Sequence, residues 1–154
     1  MYKRQQQAAV QRIRAAVEGR RDPDFLVMAR TDVRAVRGLD AAIDRAKALV
    51  DAGADAVFPE ALLGPAELEA FRAAIDVPLL ANMTEFGKGE LLTATQLAEL
   101  GYNIVIYPVT LLRLAMGAAE VGLDAILAEG TQASLLDRMQ HRSCLLYTSP
   151  SPRD

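Results

Sequence analysis

The sequence predicts an α/β fold of consecutive parallel β/α units, the arrangement of part of a barrel enzyme. Three observations predict it. Four short apolar runs each end in a polar residue suited to handling a carboxylate: Arg30 after Phe25-Leu-Val-Met-Ala, Glu60 after Ala56-Val-Phe-Pro, Asn82 after Leu79-Leu-Ala, and Tyr107 after Ile104-Val-Ile. Amphipathic stretches separate these runs, as helices crossing back over a parallel sheet require. Two units also share one plan of helix, glycine and apolar strand, residues 48–59 and residues 96–108. In such folds chemistry gathers at the carboxyl ends of the strands.

Taken in order, Ala8 to Glu18 is helix-like, and Gly19 to Asp24 is a turn of one Gly, one Pro and four charges. Phe25 to Thr31 reads as a largely apolar strand buried on both faces. Leu39, Ile43, Ala46, Leu49 and Val50 stand at helical spacing within Leu39 to Ala52, and Gly53-Ala54-Asp55 stops that helix before the strand Ala56-Val57-Phe58. Glu67 to Ala74 is the next helix and Val77 to Asn82 the next strand. Thr95 to Leu100 follows as a short helix stopped by Gly101, and Asn103 to Tyr107 is the fourth strand. From Leu111 to Gln140 the pattern is helical, with breaks expected near Gly122 and Gly130.

Four strands are too few for a closed β/α barrel, so the alternatives are a small open parallel sheet and half of something larger. At 154 residues the chain suits one domain, able to bury roughly 70% of its unfolded surface. With 51% hydrophobic and 24% charged residues and a net charge of −3, it gives no reason to expect nucleic acid or an anionic membrane as partner. One cysteine, Cys144, and no visible secretory or membrane-spanning segment point to a reducing cytoplasm.

The last twelve residues, Ser143 to Asp154, carry no helical period and include Pro150 and Pro152, which suits a foreign tail or a natural disordered terminus. They resemble translated sequencing-adaptor sequence, and Met1 to Gln5 resembles its counterpart. The native domain is then residues 6–142, with 1–5 and 143–154 non-native or disordered, and Cys144 carries no function.

The most specific stretches are Met28-Ala-Arg-Thr-Asp32, Phe58-Pro-Glu-Ala61, Ala81-Asn-Met-Thr-Glu-Phe-Gly87 and Glu129-Gly-Thr-Gln132. In this order, with Leu39-Asp-Ala-Ala-Ile-Asp-Arg45, they resemble the 2-methylisocitrate lyases of the isocitrate lyase and phosphoenolpyruvate mutase superfamily, from Arg12 to Arg142. The resemblance implies a (β/α)8 TIM barrel whose last helical part is exchanged between subunits of a homotetramer. The present strands would be the fifth to eighth, the C-terminal half, followed by closing helices. It also implies an Mg²⁺-dependent cleavage of a small tricarboxylate, 2-methylisocitrate, into pyruvate and succinate in propionate breakdown. Related superfamily chemistry and a noncatalytic half-barrel remain alternatives.

Carried over by resemblance, Arg30, Glu60, Asn82, Met83, Thr84, Arg113 and Arg142 are substrate-binding residues. Arginine suits this work because its planar fork grips a carboxylate with two hydrogen bonds. Taken alone, Arg30 also fits a structural ion pair, Glu60 a solvated loop residue, and Asn82 with Thr84 ordinary turn formers. Asp32 either orients Arg30 or caps the following turn, and capping is the commoner role. His141, the one histidine, is read as a surface residue, and Arg12, Arg14, Arg20 and Arg21 as a solvated face. The family's catalytic cysteine, in a Lys-Lys/Arg-Cys-Gly-His loop, and its metal-binding aspartates have no match in this chain. The chain alone is therefore expected to be inactive.

Overall fold

The computed structural model describes residues 2–144. Met1 and residues 145–154, which include most of the expected foreign tail, lie outside the described residues. The chain divides into two compact units, Met1–Pro108 and Val109–Asp154.

In the first unit, helix α1 (Tyr2–Gly19) precedes strand β1 (Met28–Thr31). Helices α2 (Arg34–Arg37) and α3 (Leu39–Val50) lead to β2 (Ala56–Pro59), and α4 (Pro65–Ala74) leads to β3 (Leu80–Asn82). Helix α5 (Ala94–Glu99) and strand β4 (Ile104–Ile106) complete it. The strands form two parallel pairs, Met28 opposite Ala56 in the first and Leu80 opposite Ile104 in the second. A single parallel bridge between Val57 and Leu79 joins β2 to β3. The sequential order and parallel sense are those expected of β/α units.

The main core lies between the strands and their crossover helices: Ala42 and Ala46 of α3, Phe71 of α4 and Leu97 of α5 pack with Val57, Leu79 and Ala81. A smaller cluster of Ala29, Leu49 and Ala54 is covered by Ala9, Val10 and Ile13 of α1. The two similar units end their helices in the same way. Ala54 N–H bonds Leu49 O and Gly53 N–H bonds Val50 O, and Tyr102 with Gly101 repeats the pattern on Leu97 and Ala98. This paired closure needs a left-handed residue after the helix, and Gly53 (φ 102°) and Gly101 (φ 83°) supply it without a Cβ penalty.

Several boundaries differ from the sequence reading. The first helix is longer, beginning at Tyr2, and the first strand is shorter, beginning at Met28 rather than Phe25. Phe25 and Leu26 are 64% and 51% exposed. Side chains take part of the backbone there: Arg20 Nη1 donates to Phe25 O (3.0 Å), and Asp55 Oδ2 accepts from Val27 N (2.8 Å), while Val27 O accepts from Asp55 N (2.9 Å). Arg20 also bonds Asp55 Oδ2 at 2.8 Å, so it is a structural clamp rather than part of a solvated face.

The third strand is also shorter than expected, at three residues, because Pro78 has no N–H and Asn103 Oδ1 accepts from Leu79 N (3.1 Å). The short helix α2 was not anticipated.

In the second unit, α6 (Thr110–Glu129) runs through Gly122 without the expected break and ends at Gly130, whose φ is 68°. An interior glycine costs about 1 kcal/mol against alanine, which a long helix tolerates. A 3₁₀ helix, Ala133–Arg138, follows. No helix of the described residues is long and apolar enough to cross a membrane.

Candidate functional site

The register of the strands assembles the site. Arg30 and Phe58 are paired across β1 and β2, so their side chains stand on one face, and Glu60, two residues past Phe58, returns to that face. Glu60 N donates to Thr31 O at 2.9 Å, which extends the ladder to the strand end. Carrying the Val57–Leu79 bridge three residues forward sets Glu60 beside Asn82.

The side chains meet accordingly. Arg30 Nη2 lies 3.4 Å from Glu60 Oε2, and Asn82 Nδ2 donates to that same oxygen at 3.2 Å. Arg30 also donates to Asp32, from Nη2 at 2.8 Å and from Nε at 3.3 Å to each carboxylate oxygen. Its guanidinium sits 4.7 Å above the Phe58 ring centre, a cation–π distance. The Asp32 hydrogen bonds raise the Arg30 pKa further, against the effect of burial, and the Asp32 and Glu60 charges act in the same direction. The site is therefore a fixed cation flanked by two carboxylates and one amide.

Asp32 corrects the expectation of a cap. Helix α2 begins after Val33 with no side-chain cap, and the Asp32 carboxylate binds Arg30 instead.

A cavity of about 190 Å³ opens beside Glu60 and Asn82, with Met83, Thr84, Arg34 and Lys88 also on its wall. Asn82 Oδ1 is buried there without a hydrogen-bond partner among the described residues. Met83 turns its side chain into the core, where Sδ accepts from Leu92 N (3.3 Å), while its own N–H bonds Ile106 O (2.9 Å). Ala61, on the cavity wall directly after Glu60, adopts left-handed backbone (φ 67°), as does Phe86 (φ 62°) in the loop after Thr84. Such conformations cost of order 1–3 kcal/mol each and concentrate at functional sites.

Of the residues singled out from sequence, Arg30, Glu60 and Asn82 are brought into contact, and Met83 and Thr84 share with Glu60 and Asn82 a cavity that Arg30 does not line. Arg113, in the first turn of α6, and Arg142, in a helical turn at 142–144, belong to the second unit and are exposed. Tyr107 is half exposed beyond β4. His141 is exposed, its Nδ1 2.9 Å from Ser143 Oγ, as expected of a surface residue.

The sequence reading missed Phe58, although it stands two residues before Glu60 on the same strand face. It also missed Arg34, which donates to Glu67 from Nε (2.9 Å) and Nη2 (2.6 Å) and so ties α2 to α4.

Magnesium, implied by the resemblance, does not fit the residues present. Among the described residues no three His, Cys, Asp or Glu side chains converge to hold a metal ion, and Asp32 and Glu60 are both engaged by Arg30.

The sequence model of the family described as phosphoenolpyruvate phosphomutase matches residues 2–127. The chain is 62% identical over 136 residues to the probable 2-methylisocitrate lyase 2 of Corynebacterium glutamicum, covering 88% of this chain and 44% of that protein. It is 48% identical over 134 residues to the 2-methylisocitrate lyase of Escherichia coli, covering 87% and 45%. Among solved structures, a 2,3-dimethylmalate lyase described as a member of the PEP mutase/isocitrate lyase superfamily superposes with a TM-score of 0.83 at 30% identity, over 92% of this chain and 50% of that one. A phosphonopyruvate hydrolase in complex with oxalate and Mg²⁺ gives 0.78 at 28% identity, over 90% and 50%. The chain thus spans about half the length of the proteins it matches.

Proposed function

The chain belongs to the phosphoenolpyruvate phosphomutase family, and from that premise we propose that it is part of a carbon–carbon lyase that cleaves 2-methylisocitrate to pyruvate and succinate. The observation that carries this reading is the 62% identity to a probable 2-methylisocitrate lyase over 88% of the chain. The contact of Arg30, Glu60 and Asn82 at three strand ends supports it, because in β/α folds substrate contacts come from the carboxyl ends of several strands.

In this reading Arg30 grips a substrate carboxylate through its fork, and Asn82 and Thr84 offer amide and hydroxyl contacts. Glu60 holds both Arg30 and Asn82 in place. Met83, with sulfur and N–H both engaged, supplies apolar wall rather than a donor. Arg113 and Arg142 are carried as further substrate-binding residues of the longer protein.

The activity belongs to that longer protein. Its barrel would use β1 to β4 as strands five to eight, its native sequence here would be residues 6–142, and it would work as a cytoplasmic homotetramer. Its magnesium ligands and its proton donor would lie outside the described residues.

A second reading is a related superfamily activity, favoured by the likeness to the 2,3-dimethylmalate lyase structure. The test is to assay the full-length protein with Mg²⁺ on 2-methylisocitrate, isocitrate, 2,3-dimethylmalate and oxaloacetate, and this chain in parallel. Preferential release of pyruvate and succinate from 2-methylisocitrate by the full-length protein alone is expected. A preference for another substrate overturns the assignment, and turnover by the 154-residue chain overturns the division of labour.

A further inference from the structure

A guanidinium offers two edges on which a carboxylate can be held by a pair of N–H groups: the side edge, Nε with Nη2, and the end edge, Nη1 with Nη2. In Arg30 the side edge is taken. Asp32 accepts from Nη2 at 2.8 Å and from Nε at 3.3 Å. Phe58 covers one face of the group at 4.7 Å, and Glu60 touches Nη2 from the neighbouring strand at 3.4 Å. Nη1 makes no hydrogen bond among the described residues, and the side chain is 53% exposed. Rotation about the last bonds of Arg30 is therefore restrained on three sides, with the end edge open.

Charge alone argues against this arrangement. Asp32 is a second carboxylate on one cation, and a bare electrostatic account makes it a competitor of any anionic ligand. Geometry supplies a different account: an arginine held in one orientation loses less freedom on binding than one that must be ordered by the ligand.

We infer that Asp32 is a positioning residue, which holds the side edge of Arg30 so that a substrate carboxylate meets the end edge over the Phe58 platform. The inference rests on the reading of these strand ends as a carboxylate site. Asp32 itself touches no substrate.

The two accounts predict opposite signs. The full-length protein, with Mg²⁺ present, is titrated with succinate and with pyruvate while the Arg30 Nε–Hε resonance, assigned by its loss in Arg30→Lys, is followed by NMR. Asp32 is 61% exposed, so its replacement leaves the core intact. Asp32→Ala is expected to weaken binding about tenfold and to broaden the Arg30 resonance; Asp32→Asn, which keeps one acceptor, is expected to weaken it about threefold. Unchanged or tighter binding by Asp32→Ala overturns the inference while leaving the carboxylate site standing. Failure of the unaltered full-length protein to bind either probe overturns the carboxylate reading and this inference with it, and the two failures are thereby told apart.

Discussion

Glu67 accepts three hydrogen bonds, two from Arg34 and one from Leu63 N at 3.0 Å, and the pair joins α2 to the loop that carries Glu60 and the left-handed Ala61. The Arg34 hydrogen bonds hold the Glu67 carboxyl below its ordinary value of 4.5, against the opposing effect of burial. A carboxyl whose folded pKa is depressed contributes stability above the unfolded value, and that contribution is lost as pH falls through the folded pKa. Both side chains are mostly covered, at 20% and 23% exposure, so the pair is worth about 1 kcal/mol. Denaturant titrations from neutral pH down through the acid range should show a loss of that size in the unaltered chain and a shallower one in Glu67→Gln. Equal slopes would remove Glu67 from the account. At this scale Arg30, Glu60 and Asn82 were legible because each interrupts an apolar run at its end. The Arg34–Glu67 and Arg20–Asp55 pairs were not, since their members lie 33 and 35 residues apart and no local pattern joins them.

Helix stops set by glycine were read to within two residues, whereas α4 and α5 begin two residues and one residue earlier than the sequence reading placed them. Gly53 and Gly101 close their helices through the same pair of backbone bonds, and α5 opens with a reciprocal cap in which Thr93 Oγ1 accepts from Gln96 N (3.2 Å) and Gln96 Oε1 accepts from Thr93 N (2.9 Å). Because α5 has only six residues, this cap secures a large share of its orphan N–H groups. Thr93→Ala should therefore cost about 1 kcal/mol and lower the thermal midpoint by a few degrees, read by circular dichroism. Thr93→Ser should recover most of the loss, and an unchanged midpoint in Thr93→Ala would show that packing of Leu97 alone holds the helix. Strand starts were overextended for a physical reason. Apolar character continues through Phe25 and Leu26 and through Val77, but Arg20, Asp55, Asn103 and Arg72 bond the backbone there and end the ladder. Long-range polar partners of this kind are invisible to hydrophobic periodicity.

For the chain as a whole, the parallel β/α order was legible because each strand and helix carries its own period, whereas the distribution of unburied apolar surface depends on what each helix packs against. Helix α6 contains no buried residue, and Leu111, Leu112, Leu114, Met116, Leu123 and Leu127 are each more than half exposed. Fully burying one such side chain is worth about 1.5–3 kcal/mol, so several on one helix supply a strong drive for association. The first unit adds Phe86, 94% exposed on strained backbone. The expected outcome is that the chain self-associates, with a sedimentation mass above that of the monomer that rises with concentration. Leu112→Lys combined with Leu123→Lys places charge on α6 without altering the first unit's core, and should shift the distribution toward monomer with unchanged helical circular dichroism. If the unaltered chain stays monomeric at about 100 μM, where exposed apolar surface ordinarily drives association, α6 is not an associating surface. If the double variant associates as strongly as the unaltered chain, the contact lies instead at the open edges of β1 and β4, where unpaired backbone groups offer the other route to pairing.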